Sequence, residues 1–164
     1  MKKEFDFDCG WPSNDGLMRK YHDEEWGVPL HDDNGLFEFL VLDAFQAGLS
    51  WRTVLHKREN FRKAFDNYDI TKIAGYDEDK IFELMQNKGI IRNQLKIRAT
   101  ISNAQAFLKV QSEFGTFDRY IWQFTGGSTI VNTFRLLSEI PCKSEVSDAM
   151  SKDLIKRGFK FVGS

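Results

Sequence analysis

The chain has 164 residues, 41% hydrophobic, 29% charged and 14% aromatic, with a formal net charge of −1. That size predicts one compact unit over residues 1–164, with two lobes around a cleft, and the composition excludes a chain too polar to collapse. No apolar run approaches a membrane span, the N-terminus lacks the apolar stretch of a secretion signal, and two cysteines, Cys9 and Cys142, make no disulfide framework; a reducing cytoplasm is the expected setting.

Helical periodicity dominates from there. Asp33 or Asn34 can cap a helix running to about Ala47. On it Leu36, Leu40, Asp43 and Ala47 share one face, and the opposite face of Phe37, Val41 and Ala44 is also apolar. A helix apolar nearly all round reads as buried, which makes Asp43 a buried acid in need of partners or a task. Ser50 can cap a second helix reaching Phe65, with Trp51 in its first turn. Asp77 caps a third that closes near Gly89. A fourth spans 92–115, with Leu95, Ile97, Ile101, Ala104, Phe107 and Leu108 as its apolar positions. A fifth starts at Phe117 and ends at Gly126 and Gly127. A sixth is capped by Ser144 or Ser147 and stopped by Gly158. Thr129–Thr133 is β-like but belongs to no series of strands, and no internal repeat or low-complexity linker occurs. The reading is all-α.

The near-neutral charge hides a split. Residues 1–80 carry 11 Lys/Arg against 17 Asp/Glu, and residues 81–164 carry 12 against 7. Between Leu84 and Ser112 there is no acid, while Lys88, Arg92, Lys96, Arg98 and Lys109 all occur: a modest electrostatic footprint for a polyanion, or a solvated helix face.

Three groups of residues could carry chemistry. Cys9 and His22 are good zinc ligands, but a structural zinc takes four, and no other His or Cys has a convincing spacing. Tyr21 and Trp26, in "YHDEEWG", can join Trp51 to wall a pocket beside Asp43; aromatic walls next to a carboxylate suit a flat, electron-poor or cationic ligand. "KRGFKFVG", Lys156 to Gly163, sets a helix end and a glycine hairpin beside Lys160, where backbone N–H groups could approach a phosphate or Gly158 could simply end the helix. Nucleotide-binding loops, metalloprotease motifs and serine-hydrolase motifs are missing, which excludes those chemistries.

Taken in order, "CGW" (9–11), "YHDEEWGVP" (21–29), "QAGLSW" (46–51), "VLHKRENFRKAF" (54–65), "GIIRNQLKIRATISNAQAF" (89–107) and "SKDLIKRGFKFVG" (151–163) resemble the DNA-3-methyladenine glycosylase I family. The resemblance implies an all-helical fold of the helix-hairpin-helix glycosylase class. In it "KRGFKFVG" supplies the end of the first helix and the hairpin, with Gly158, Lys160 and Gly163 on the DNA backbone. It implies base excision repair: hydrolysis of the N-glycosidic bond of 3-methyladenine in alkylated double-stranded DNA. By resemblance Trp51 and Tyr21 flank the base, Trp26 and Gln46 shape its pocket, and the acid at position 43 accepts hydrogen bonds from the purine edge. The family usually has Glu there, one methylene longer than Asp43, and often Tyr where this chain has Met18. The resemblance also implies a structural zinc, with Cys9 and His22 matching two of four ligands; the family's other two come from a C-terminal tail that this sequence stops short of. No lysine matches a Schiff-base position, so no strand-cleaving step is expected, and no heptad or long apolar edge points beyond a monomer. A non-catalytic DNA-binding module on the same fold is the alternative, and a helical metal-binding protein unrelated to DNA a more distant one.

Overall fold

A computed structural model describes residues 10–134 and 136–164. Nine α-helices form among them: α1 (Gly16–Glu24), α2 (Asp33–Gln46), α3 (Trp51–Leu55), α4 (Arg58–Ala64), α5 (Ile70–Ala74), α6 (Glu78–Gln86), α7 (Gln94–Phe114), α8 (Phe117–Trp122) and α9 (Glu145–Lys156). Short 3₁₀ turns follow α4 and α8 and precede α9. No strand forms among the described residues; Thr129–Thr133 is irregular loop.

Local chemistry starts most of these helices. Ser50 accepts from the Thr53 N–H at 3.2 Å, Asp77 from Lys80 at 2.9 Å and Asn93 from Lys96 at 3.1 Å. Ser144 and Ser147 form a reciprocal capping box. Each such side chain satisfies an N–H that the helix itself leaves without a partner, typically worth about 1 kcal/mol.

Two expectations fail at this level. Asp32, not Asp33 or Asn34, caps α2 by accepting from Gly35 N–H at 2.7 Å. Asp33 lies in the first turn and reaches across the fold instead, accepting from the N–H groups of Phe117 and Asp118 (2.9 and 2.8 Å) and from Gln111 Nε2 (2.7 Å). It thereby caps α8 from another helix. The helix expected over 51–65 is two, α3 and α4, broken at His56 and Lys57, where His56 Nε2 lies 2.7 Å from Asp15 Oδ2 and Lys57 Nζ donates to Gly89 O at 3.2 Å. Those tertiary contacts hold a bend that no glycine or proline announces.

The long α7 packs against α2, α5, α6 and α8. Ile97, Ala104, Phe107 and Val110 of α7 meet Phe37, Val41, Leu42 and Phe45 of α2 in one hydrophobic cluster that runs from Met18 in α1 to Val162 near the end of the chain. Each large apolar side chain buried there contributes about 1.5–3 kcal/mol. Leu95, expected among the apolar positions of this helix, points outward instead, 69% exposed.

Helix α2 is not buried all round. Its Phe37, Val41, Leu42 and Phe45 side is in the core, whereas Leu36, Phe39 and Leu40 are half-buried and Asp43 and Ala47 are solvent-accessible. The apolar second side is a partly covered surface, a recess, rather than the inside of the core.

Candidate active site

Three short elements meet at that recess. Helix α1 brings Tyr21, α2 brings Asp43 and, one turn on, Gln46, and α3 opens with Trp51. The Tyr21 and Trp51 rings lie 4.9 Å apart at 47°. Phe39 approaches Tyr21 at 6.2 Å. Trp11 meets Tyr21 edge-on at 6.1 Å and Trp26 at 5.6 Å. Trp26, 56% exposed, stacks on His22 rather than on Trp51. It therefore belongs to the outer rim, joined to Tyr21 through Trp11.

A single carboxylate fastens α1 to α3. Asp15 caps α1 at Leu17 and Met18, bonds His56 Nε2 at 2.7 Å and lies 3.2 Å from Arg52 Nε. The His56 contact, ahead of the cap bonds, holds the Asp15 carboxyl below its ordinary range. Met18 sits in the core and offers nothing to the recess.

Asp43 departs from the buried acid expected of it. Its carboxyl reaches solvent, yet surrounding protein mass desolvates it enough to push its pKa up to about 6. A partly covered acid combines those properties: water reaches it, but too little water surrounds it to stabilise its charge. Among the described residues it has no hydrogen-bond or ion-pair partner. Tyr21 is pushed up to about 12, first by burial and then by the charges of Asp43 and Glu25, so its hydroxyl stays protonated as a donor. Trp51, 7% exposed, has an indole Nε1–H with no acceptor among the described residues. An unpartnered acid and an unpartnered donor are thus held among aromatic rings. Buried polar groups normally find partners, and here a bound molecule or water must supply them.

Two further residues of this region carry no marking in the sequence. Lys96, counted there with the exposed basic residues, is 6% exposed; burial lowers its pKa, and its Nζ donates to the carbonyls of Phe45 and Ala47. Arg98 is also spent, paired with both Glu78 oxygens, which leaves Lys88, Arg92 and Lys109 exposed and outside any ion pair among the described residues. Leu49, 42% exposed, sits at the tip of the turn between α2 and α3, beside Gly48 at φ 78°.

The chain end forms a second feature. Phe159 N–H bonds Leu154 O and Gly158 N–H bonds Ile155 O, with Gly158 at φ 96°; this pair of bonds closes α9 in a glycine-dependent Schellman motif. Asn103, fully buried on α7, brackets the next peptide: it donates to Lys160 O at 3.0 Å and accepts from Lys160 N–H at 2.8 Å. Ser151 donates to Val162 O at 2.7 Å. The N–H groups of Phe161, Val162 and Gly163 have no acceptor among the described residues, and Gly158, the Lys160 side chain and Gly163 are exposed.

Cys9 lies outside the described residues. His22 Nδ1 is 2.8 Å from Asp23 Oδ1, and no group of three or more His, Cys, Asp or Glu among the described residues could hold a metal ion. A structural zinc closes with four ligands, so the described donors do not complete one.

Fold and site together define a helical protein with an aromatic-walled acid recess, suited to holding a flat cationic ligand. Residues 11–164 match the methyladenine glycosylase family, to which the chain belongs. DNA-3-methyladenine glycosylase 1 of Escherichia coli (strain K12) is 48% identical over 95% of this chain and 83% of its own length. A crystal structure of a 3-methyladenine DNA glycosylase I superposes with a TM-score of 0.92 at 46% identity, covering 96% of this chain and 86% of that one. The Staphylococcus aureus 3-methyladenine DNA glycosylase I, described for its recognition of 3-methyladenine, superposes at 0.91 with 33% identity, over 94% and 82%.

Proposed function

We infer that this protein is a base excision repair glycosylase that hydrolyses the N-glycosidic bond of 3-methyladenine in alkylated duplex DNA. The observation that carries the reading is the Asp43 carboxyl, left without a partner beside the Tyr21 and Trp51 rings. A base in a duplex must leave the stack before an enzyme can read it. 3-Methyladenine is cationic while bound to the sugar. The ionised Asp43 and the faces of Tyr21 and Trp51 favour such a cation over neutral adenine, and the purine edge offers N–H groups to the carboxylate. Gln46, half-buried one turn along α2, and Trp26 at the rim complete the pocket.

The leaving group is already activated. Water attacks the sugar C1′, the bond to the purine nitrogen breaks, and its electron pair neutralises the ring; the proton of the water passes to solvent. The site must hold and select the base rather than protonate it. No lysine takes part, so the sugar is left as an intact abasic site.

The Gly158–Gly163 hairpin after α9 is the second half of the reading. It acts as the hairpin of a helix-hairpin-helix element: the N–H groups of Phe161–Gly163 and the Lys160 ammonium meet a phosphate of the DNA backbone. Exposed Leu49 fills the gap that the extruded base leaves in the stack. A cytoplasmic monomer fits this work, and the exposed Cys142 thiol fits a reducing compartment. A structural zinc on Cys9 and His22 belongs to the same reading; no step of the reaction passes through it, and metal analysis of wild type against His22→Ala tests it. The decisive experiment incubates methylated duplex DNA with this chain and measures free 3-methyladenine. Release above a no-enzyme control is expected; salt-dependent binding without release would make the chain a damage-binding module.

A further inference from the structure

Lys96 is a buried cation that the proposed reaction does not use. No carboxylate pairs with it among the described residues; its Nζ donates to Phe45 O at 2.7 Å and to Ala47 O at 2.6 Å. These carbonyls close α2, where a helix leaves its last C=O groups unbonded and its dipole is negative, so the ammonium caps the helix that carries Asp43 and Gln46. Directly beyond come Gly48, Leu49 and Ser50, the turn into α3 and Trp51. The same Nζ lies 5.8 Å from the centre of the Phe161 ring. Phe161 belongs to the hairpin and takes φ 58°, an unfavourable value for a bulky residue, so its ring is held there by the structure around it. Part of that structure is the Asn103 bracket on Lys160. Asn103 lies seven residues beyond Lys96 on α7, on the same helix face. One face of one rigid helix therefore holds the hairpin at Asn103 and the base-reading end of α2 at Lys96, and the Lys96 ammonium touches both.

We propose that Lys96 is a positioning residue that couples the seating of the hairpin on the DNA backbone to the geometry of the base pocket, by capping α2 beneath the Phe161 ring. The proposal rests on the glycosylase reading above. Burying an ammonium is costly, and an apolar side chain of similar length could fill the space; what the ammonium adds is a fixed distance between α2, α7 and the hairpin.

The test compares Lys96→Met and Lys96→Arg with wild type in three assays: single-turnover release of 3-methyladenine from methylated duplex, binding of the free base, and binding of undamaged duplex. For Lys96→Met the expected result is at least a tenfold loss of release, with undamaged-duplex affinity within about threefold of wild type; Lys96→Arg, which keeps the charge and the donors, recovers most of the release. Should Lys96→Met fail to fold, Lys96→Gln carries the same expectation. Release within twofold of wild type would overturn the proposal, as would losses that follow thermal stability alone, with Arg rescuing no better than Met. Wild type that releases no base overturns the glycosylase reading, and this proposal with it.

Discussion

Two of the three acids of helix α2 stand in opposite circumstances. Glu38 is 9% exposed and fully engaged: Arg58 Nε donates to it at 2.7 Å, and Arg62 donates to both of its oxygens at 2.8 and 3.1 Å. Arg58 also grips Glu25, at the end of α1, and lies over the Phe39 ring at 5.2 Å. Five residues along, Asp43 reaches solvent and pairs with nothing among the described residues. The buried acid holds α1, α2 and α4 together, and the accessible one is free to bind. Burial does not mark a functional carboxylate here; the lack of a partner does.

Breaking the first acid should cost the most. Glu38→Gln removes the charge that Arg58 and Arg62 share, and equilibrium unfolding should show a loss of about 1.5–3 kcal/mol, since Arg58 keeps Glu25 and Arg62 is partly exposed. A loss under about 1 kcal/mol would mean that the cluster is replaceable and the contrast overstated. Asp43→Asn should do the reverse: fold normally, bind undamaged duplex as wild type does, and release 3-methyladenine on the order of a hundredfold more slowly. Equal losses of release and of undamaged-duplex affinity would remove Asp43 from base reading.

Trp51→Ala sharpens the comparison within the pocket. Removing one stacking ring costs about 1–3 kcal/mol, so free 3-methyladenine should bind on the order of five- to a hundredfold more weakly by calorimetry. Unchanged affinity would confine Trp51 to packing.

The smallest effect is on stability against pH. The folded Asp43 titrates at about 6, above its ordinary 3.8. Between those values the folded chain keeps a proton that the unfolded chain has released, so the Asp43 contribution to stability falls as pH rises through the window and stays low above it. Asp43→Asn should therefore melt higher than wild type at about pH 7.5 and converge with it below about pH 4. A melting temperature below wild type at the higher pH would mean that the carboxylate has a stabilising partner after all. Release by wild type should decline as pH falls through about 6, because protonation removes the charge that favours a cationic base.

What was legible in the sequence followed range. Ser50, Asp77 and Ser144 act within four residues of themselves, and the helices they start begin where the pattern puts them. Asp43 stands out because a lone acid in an apolar run is rare, but the run could not distinguish a core from the wall of a recess, since both are apolar. Helix α1 has only nine residues, is mostly polar and begins at a glycine, so it does not stand out in the sequence even though it carries Tyr21. The contacts that set the site's geometry join distant residues: Arg58 to Glu38 across 20 positions, Lys96 to Phe45 across 51, Asn103 to Lys160 across 57. Nothing in the local pattern separates Lys96 from Lys88 or Arg92, and only the fold shows that one is structural and the others free.

Asp33 bears on the order in which the molecule assembles. It sits in the first turn of α2, and its partners Gln111, Phe117 and Asp118 lie 78, 84 and 85 residues further along the chain. During synthesis the ribosome releases the aromatic and acidic residues of the recess long before those partners exist. Contacts of that span are the slow ones to close. Until Asp118 has emerged, the helix carrying Asp43 lacks its anchor to α8, an interval that covers the 72 residues from Gln46 to Asp118 of the 164. That interval is when this protein would be most dependent on a chaperone.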